Sequence, residues 1–294
     1  MKLILKSDDF GLTFGSCQAI LEDYIRGCTT STSIIVNGSA YQYALKLLRS
    51  RMKGISLGLH INLTHGPVFL KALAAPSGNY RFNFSDYLFR LIKPGDKLLT
   101  EIREDIKSQF RKAIEEDHLD IDHVDGHDHI HMVPTIFNII CQECRNYGIK
   151  YIRLTREPFY LTSALSQNLT PFRNRNILKL ILLNQCARIN QKALRAYNLS
   201  TTQAYYGILH SNNMNLLTLT AAIKNAKKAA LDTVEIALHP AYVKDKRDKI
   251  YHSKATAWFS SLPQREEEAR LLTSPKLKQL IQQEKITLSG FRGI

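Results

Sequence analysis

Short apolar or β-branched runs alternate with longer amphipathic stretches along this chain, and that rhythm restricts the fold more than any other feature of the sequence. The runs are LILK (3–6), STSIIVN (31–37), ISLGLHI (55–61), IDHVD (121–125), IKYIRL (149–154) and VEIAL (234–238). Between them, the spacing of apolar residues predicts helices near 16–26, 40–51, 100–117, 134–147 and 215–230. Strand and helix in alternation imply parallel pairing through crossover helices, hence an α/β sheet or barrel. With 294 residues, 44% of them hydrophobic, one large domain over 1–294 is expected. Two stretches break the rhythm. Residues 66–98 are aromatic and punctuated by Pro and Gly, and 158–204 carries a basic helical segment; both read as insertions that build lids or substrate walls.

The bulk chemistry excludes several classes. No apolar run approaches the roughly 18 residues that span a bilayer, and MKLILKSDDF reaches acidic residues before a secretory core could form, so a cytoplasmic location is expected. Five cysteines, an odd number in mostly helical contexts, argue against a disulfide framework. Cys141 and Cys144 form a C-x-x-C with no second pair to complete a zinc site. The formal charge of +14 is spread along the chain instead of gathered in a binding module, so solvated helix faces, not nucleic acid, account for it.

Chemistry in parallel α/β folds collects at the carboxyl ends of strands, and polar residues end these strands. Asp8 and Asp9 close the first in KSDDFG, His60 the third in LGLHINLT, Asp125 and His127 the fourth, and His239 follows the last in EIALHPAY. The densest signal is IDHVDGHDHIHMVP, where His123, Asp125, His127, His129 and His131 recur at every second position. On an extended strand such residues share a face, although Gly126 is expected to break the strand and Pro134 to start a helix. On an extended backbone Asp8 and Asp9 diverge, which suits them to separate tasks. If Asp9, His60 and His127 converge, one carboxylate and two imidazoles make a three-ligand metal site with room for water.

Taken in order, DDFG, GLHxNLT, HVDGHxHxH and LHPA resemble the YdjC-like carbohydrate deacetylase family, with TTSTSIIVNG (29–38) and YYG (205–207) in further support. The resemblance runs from residue 2 to about 290. It implies a variant (β/α) barrel related to the NodB-type deacetylase barrel, and removal of an N-acetyl group from an amino sugar. It further implies that Asp9, His60 and His127 bind one divalent metal ion, Mg2+ or Zn2+, that Asp8 is the catalytic carboxylate and that His239 supplies the acid. Asp125, His129, His131, Arg153 and Tyr206 then line or support the substrate site. RLTREPFY (153–160) and the basic insertion look more like the hopanoid-biosynthesis HpnK branch, which is associated with an N-acetylglucosaminyl group on a lipid. Competing expectations are a carbohydrate-binding barrel that has lost catalysis and a metal-dependent phosphoesterase, which usually needs more carboxylates. A homo-oligomer is expected. In 172–197, Ile177, Leu178, Ile181 and Leu182 fit a helical stripe among cations. That stripe either packs on the barrel or meets an anionic membrane peripherally.

Overall fold

In the computed structural model, residues 1–93, 95–163, 172, 175–243, 245–249, 257–258 and 261–294 are described. The first strand, β1 (Lys2–Phe10), is the hub of the sheet. It pairs in parallel with β2 (Ser31–Ile34) on one side, β7 (Thr233–Leu238) on the other, and the short β8 (Thr287–Leu288) at its start. Pairing continues from β2 through β3 (Ser56–Ile61) and β4 (His123–Gly126) to β5 (Tyr151–Ile152), and from β7 to β6 (Ala204–Tyr206). The two edges then meet. Ser200 donates to Lys150 O (2.8 Å), Ile152 to Ser200 O (3.0 Å) and Tyr205 to Arg156 O (3.0 Å), so the sheet curls into the expected variant barrel. Nearly every strand residue is buried on both faces, as a helix-covered parallel sheet requires.

Six helices fall where the sequence places them, α1 (Phe14–Arg26), α2 (Tyr41–Arg51), α4 (Asp96–Phe110), α5 (Pro134–Asn146), α6 (Asn176–Tyr197) and α7 (Leu216–Lys228), while α3 (Phe84–Arg90), α8 (Gln264–Leu272) and α9 (Pro275–Gln283) are not anticipated. Thr13 caps α1 in a reciprocal box with Ser16, and Pro134 opens α5, where its missing N–H costs nothing. The insertion over 66–98 folds into two antiparallel bridges and α3, and is tied to α4 by Tyr80, whose hydroxyl donates to Asp105 at 2.6 Å. The five cysteines are buried and unpaired.

The two faces of the sheet differ in chemistry. Leu3 and Leu5 of β1 join the apolar layer beneath the helices. Two-residue periodicity turns Lys6 and Asp8 the other way, into the barrel, where they meet Asp125, Arg153 and Glu235. His123 lies deeper in the same interior, stacked on Phe291 with ring centroids 3.8 Å apart and hydrogen-bonded to Lys6 and Asp122. Gly58 is what admits it, since a Cβ there would stand 2.3 Å from the ring. His123 is therefore a packing residue.

The α6 stripe resolves differently from simple packing. Leu180, Leu183, Ala187, Asn190 and Leu194 turn inward, Ile177 is half-buried, and Leu178, Ile181 and Ile189 are 65%, 53% and 56% exposed. Arg188, Lys192 and Arg195 share this outward face.

Candidate metal and catalytic site

The strand ends converge as their polar termini suggest. Asp8, His60, His127, His129, Arg153 and His239, from five different strands or the turns that follow them, line one narrow cavity of about 40 Å3. Backbone irregularity does the aiming. Asp9 adopts φ 71°, at a shift in the β1–β2 register between Ser7 and Phe10. A left-handed non-glycine residue costs roughly 1–2 kcal/mol, and the bend turns the Asp9 carboxylate toward the histidines while Asp8 stays inside the barrel. Asp128 and His129 are also left-handed, at 51° and 57°, so the histidine run leaves its two-residue period after Gly126.

Asp9 Oδ1 lies 2.7 Å from His127 Nδ1 and 3.6 Å from His60 Nε2. The other nitrogen of His60 is held by Asp125 at 2.6 Å, the carboxylate–histidine pairing that orients metal-binding imidazoles. These donors suit a divalent cation: Asp9, His60 and His127 each present one ligand atom, all within 4.8 Å of one another. Burial works against charge on both histidines, yet Asp125 raises His60 to about 9 and Asp9 raises His127. Metal loading would displace those protons. Asp9 itself is held well below the usual carboxylate range, against burial, chiefly by His127.

Asp8 accepts two hydrogen bonds from Arg153, at 2.8 and 2.9 Å. Burial would raise its pKa, and the guanidinium reverses that. Arg153 also meets Asp125 (3.0 Å) and Glu235 (2.6 Å), so it clamps three buried carboxylates while lining the cavity. Three other imidazoles stay neutral because burial and neighbouring cations oppose protonation: His129, His131, pushed down to about 3, and His239, pushed down to about 4. His131 packs beneath Gly126, where a Cβ would stand 3.0 Å from its ring. His239 is fixed through its backbone, its N–H donating to Glu268 at 2.6 Å and its carbonyl accepting from Arg265 at 3.1 Å.

Tyr206 is not brought to this cavity. Its hydroxyl donates to Asn225 on α7, and its neighbour Tyr205 is the ring that faces Arg153 and His129. Sequence reasoning missed further groups. His65 and Asp128 approach His127, and Lys179, Ser211 and Arg265 line the cavity. Glu157 accepts backbone N–H groups from Ile208 (2.7 Å) and Leu209 (3.1 Å), fixing the loop that carries Ser211. His65 lies four residues past the end of β3 in NLTHGP, a position that could have flagged it.

A curled parallel barrel with an Asp–His cluster at its strand ends defines an α/β protein able to hold a divalent cation at its mouth. Within that class the chain belongs to the YdjC-like protein family, whose model matches residues 2–283. It is 34% identical over 157 residues to a chitooligosaccharide deacetylase of Serratia marcescens and 32% identical over 165 residues to a carbohydrate deacetylase of Mus musculus. Each match covers 53% of this chain, and 60% and 51% of those relatives, so the chain spans little more than half of their length. In fold it is similar to a crystal structure from Enterococcus faecalis, described there as a proposed cellobiose-phosphate cleavage protein, with TM-score 0.71, 19% identity and coverage of 99% and 98%. An uncharacterised Agrobacterium tumefaciens protein follows at TM-score 0.53 and 9% identity. Among the described residues no helix is long and apolar enough to cross a membrane.

Proposed function

We propose that the protein is a metal-dependent hydrolase that removes the N-acetyl group from an amino sugar, releasing acetate and a free amine. The observation that carries this reading is the meeting of Asp8, His60, His127 and His239 around one cavity, in a chain whose matched relatives are named as deacetylases. A cavity of about 40 Å3 has space for a few water-sized groups. The acetamide end would enter it while the sugar ring stays at the mouth. A divalent cation on Asp9, His60 and His127 would polarise the acetamide carbonyl and ease deprotonation of the attacking water. Asp8, kept ionised by Arg153, would accept the water's proton. His239 would pass a proton to the departing nitrogen. It rests neutral, so that proton must reach it during the reaction. Two imidazoles and one carboxylate suit zinc or another transition ion better than magnesium.

The test is acetate release from a panel of N-acetylated sugars, with and without a lipid tail, after metal depletion and re-addition of Zn2+ or Mg2+. Release that survives complete depletion would remove the metal from the reading; release from none of the panel would remove the substrate class.

The outward face of α6 supports a lipid-bearing substrate. Leu178, Ile181, Leu182 and Ile189 are exposed beside Arg188, Lys192 and Arg195, and the helix contains no acidic residue. Each cation near an anionic bilayer contributes about 1 kcal/mol. Sedimentation with phosphatidylserine vesicles should show binding that weakens with salt and with Arg188→Glu and Lys192→Glu. No binding at low ionic strength would make α6 a plain substrate wall.

A further inference from the structure

His127 has a carboxylate on one ring nitrogen and an imidazole on the other. Its Nδ1 faces Asp9 Oδ1 at 2.7 Å, and its Nε2 faces Nδ1 of His65 at 3.0 Å. Nε2 of His65 in turn lies 3.4 Å from Asp128 Oδ2, and that oxygen also accepts from Thr64 Oγ1 at 3.2 Å. The left-handed backbone at Asp128 puts its carboxylate there. A line of groups therefore runs from the mouth of the barrel to the candidate metal ligands: Asp128, His65, His127, Asp9.

We propose that His65, oriented by Asp128, is a positioning residue that sets the tautomer of His127 for metal binding; this rests on the metal-dependent reading above. The argument is one of donors and acceptors. An ionised carboxylate only accepts, so without metal His127 donates its Nδ1 hydrogen to Asp9. A cation shared by Asp9 and His127 needs a lone pair on that same Nδ1, and the ring's remaining hydrogen must then sit on Nε2. His65 Nδ1 is placed to accept it. His65 can accept there only while its own hydrogen is on Nε2, where the Asp128 carboxylate receives it. Each member thus fixes the next, in the manner of the outer partners that orient metal-binding histidines.

The same three side chains, His65, His127 and Asp128, also lie close enough to hold a cation themselves. Both groups draw on His127, whose neutral ring has one lone pair, so a cation there would take His127 away from Asp9. The orienting role has no such conflict.

The experiment is calorimetric titration of metal-depleted full-length protein with zinc. The native protein should take up one ion per chain, and His65→Ala should bind it about 10- to 100-fold more weakly, the usual loss when such a partner is removed. His65→Asn keeps an acceptor where Nδ1 stood and should recover most of the affinity; a merely structural role for the imidazole would not give that rescue. Asp128→Asn should fall between them. Unchanged affinity in His65→Ala overturns the proposal, as does a second zinc in the native protein that His65→Ala abolishes, which would make His65 a ligand. Asp9→Ala should eliminate the tight ion. If it binds zinc like the native protein, the metal reading itself fails and the relay falls with it.

Discussion

Asp8 and Asp23 are both 1% exposed, yet the regions around them set opposite charge states. At the barrel mouth burial pushes Asp8 upward, and Arg153, gripping both carboxylate oxygens, more than reverses it. At the seam between α1 and α8, burial pushes the Asp23 carboxyl up to about 9, and the neighbouring Glu22 and Glu268 add to the rise. One Asp23 oxygen has no hydrogen-bond partner among the described residues. Depth alone therefore does not decide whether a carboxyl carries charge; a dedicated cation does. Negative charge is kept where a reaction could use it, and suppressed where two helices only need to pack.

Removing the cation is the hardest blow to this contrast. Arg153→Met would leave Asp8, Asp125 and Glu235 buried without their shared guanidinium. Breaking a buried pair costs about 3–5 kcal/mol, so urea denaturation should show a loss on that scale. A loss below about 1 kcal/mol would mean that Lys6 and the surrounding dipoles hold the carboxylates unaided.

Asp8→Asn tests function at the same place. It removes the proposed base while keeping shape, and turnover should fall by about 100-fold or more with zinc content unchanged. His127→Ala should lose the metal as well as the activity. Near-normal acetate release from Asp8→Asn would transfer the role of base to another residue at the mouth.

The legible part of the fold was its rhythm, because a buried parallel strand and an amphipathic helix write different periods into the chain. Strand β6 lacked that signal: Ala204–Tyr206 is three residues long and is held by pairing with β7 and by the Tyr205–Arg156 hydrogen bond. The convergence of Asp9, His60 and His127 could be anticipated from their places at strand ends. The left-handed turns at Asp9, Asp128 and His129 could not, and they decide which histidines meet. A regular two-residue period would have put His127, His129 and His131 on one wall. In the structure His131 packs under Gly126, and His129 turns toward Tyr205. Tyr205 and Tyr206 show the same sensitivity, since a one-residue offset in a strand exchanges the Arg153 side of the sheet for the helix layer. Arg153 is read from the sequence as lining or supporting the site, and what the sequence does not show is that it clamps three carboxylates that lie far apart in sequence while lining the cavity.

The smallest expected effect comes from the other side of the contrast. Asp23→Asn replaces a carboxyl that must stay neutral with a side chain that is always neutral, and should stabilise the protein by roughly 1–2 kcal/mol near pH 5, at about 1.4 kcal/mol for each pH unit above the unfolded value. The sign follows from linkage. The folded value is raised to about 9 from 3.8, so the native aspartate's contribution is full below about 3.8 and is lost as pH rises toward 9. The stability difference between Asp23→Asn and the native protein should therefore be small near pH 4, widen steadily through neutrality and level off above about 9. Paired thermal melts across that range isolate the single group, because every other titration is common to both proteins. A difference that stays flat from pH 4 to 9 would show that Asp23 finds a proton-independent partner in solution, and the seam would then resemble the mouth after all.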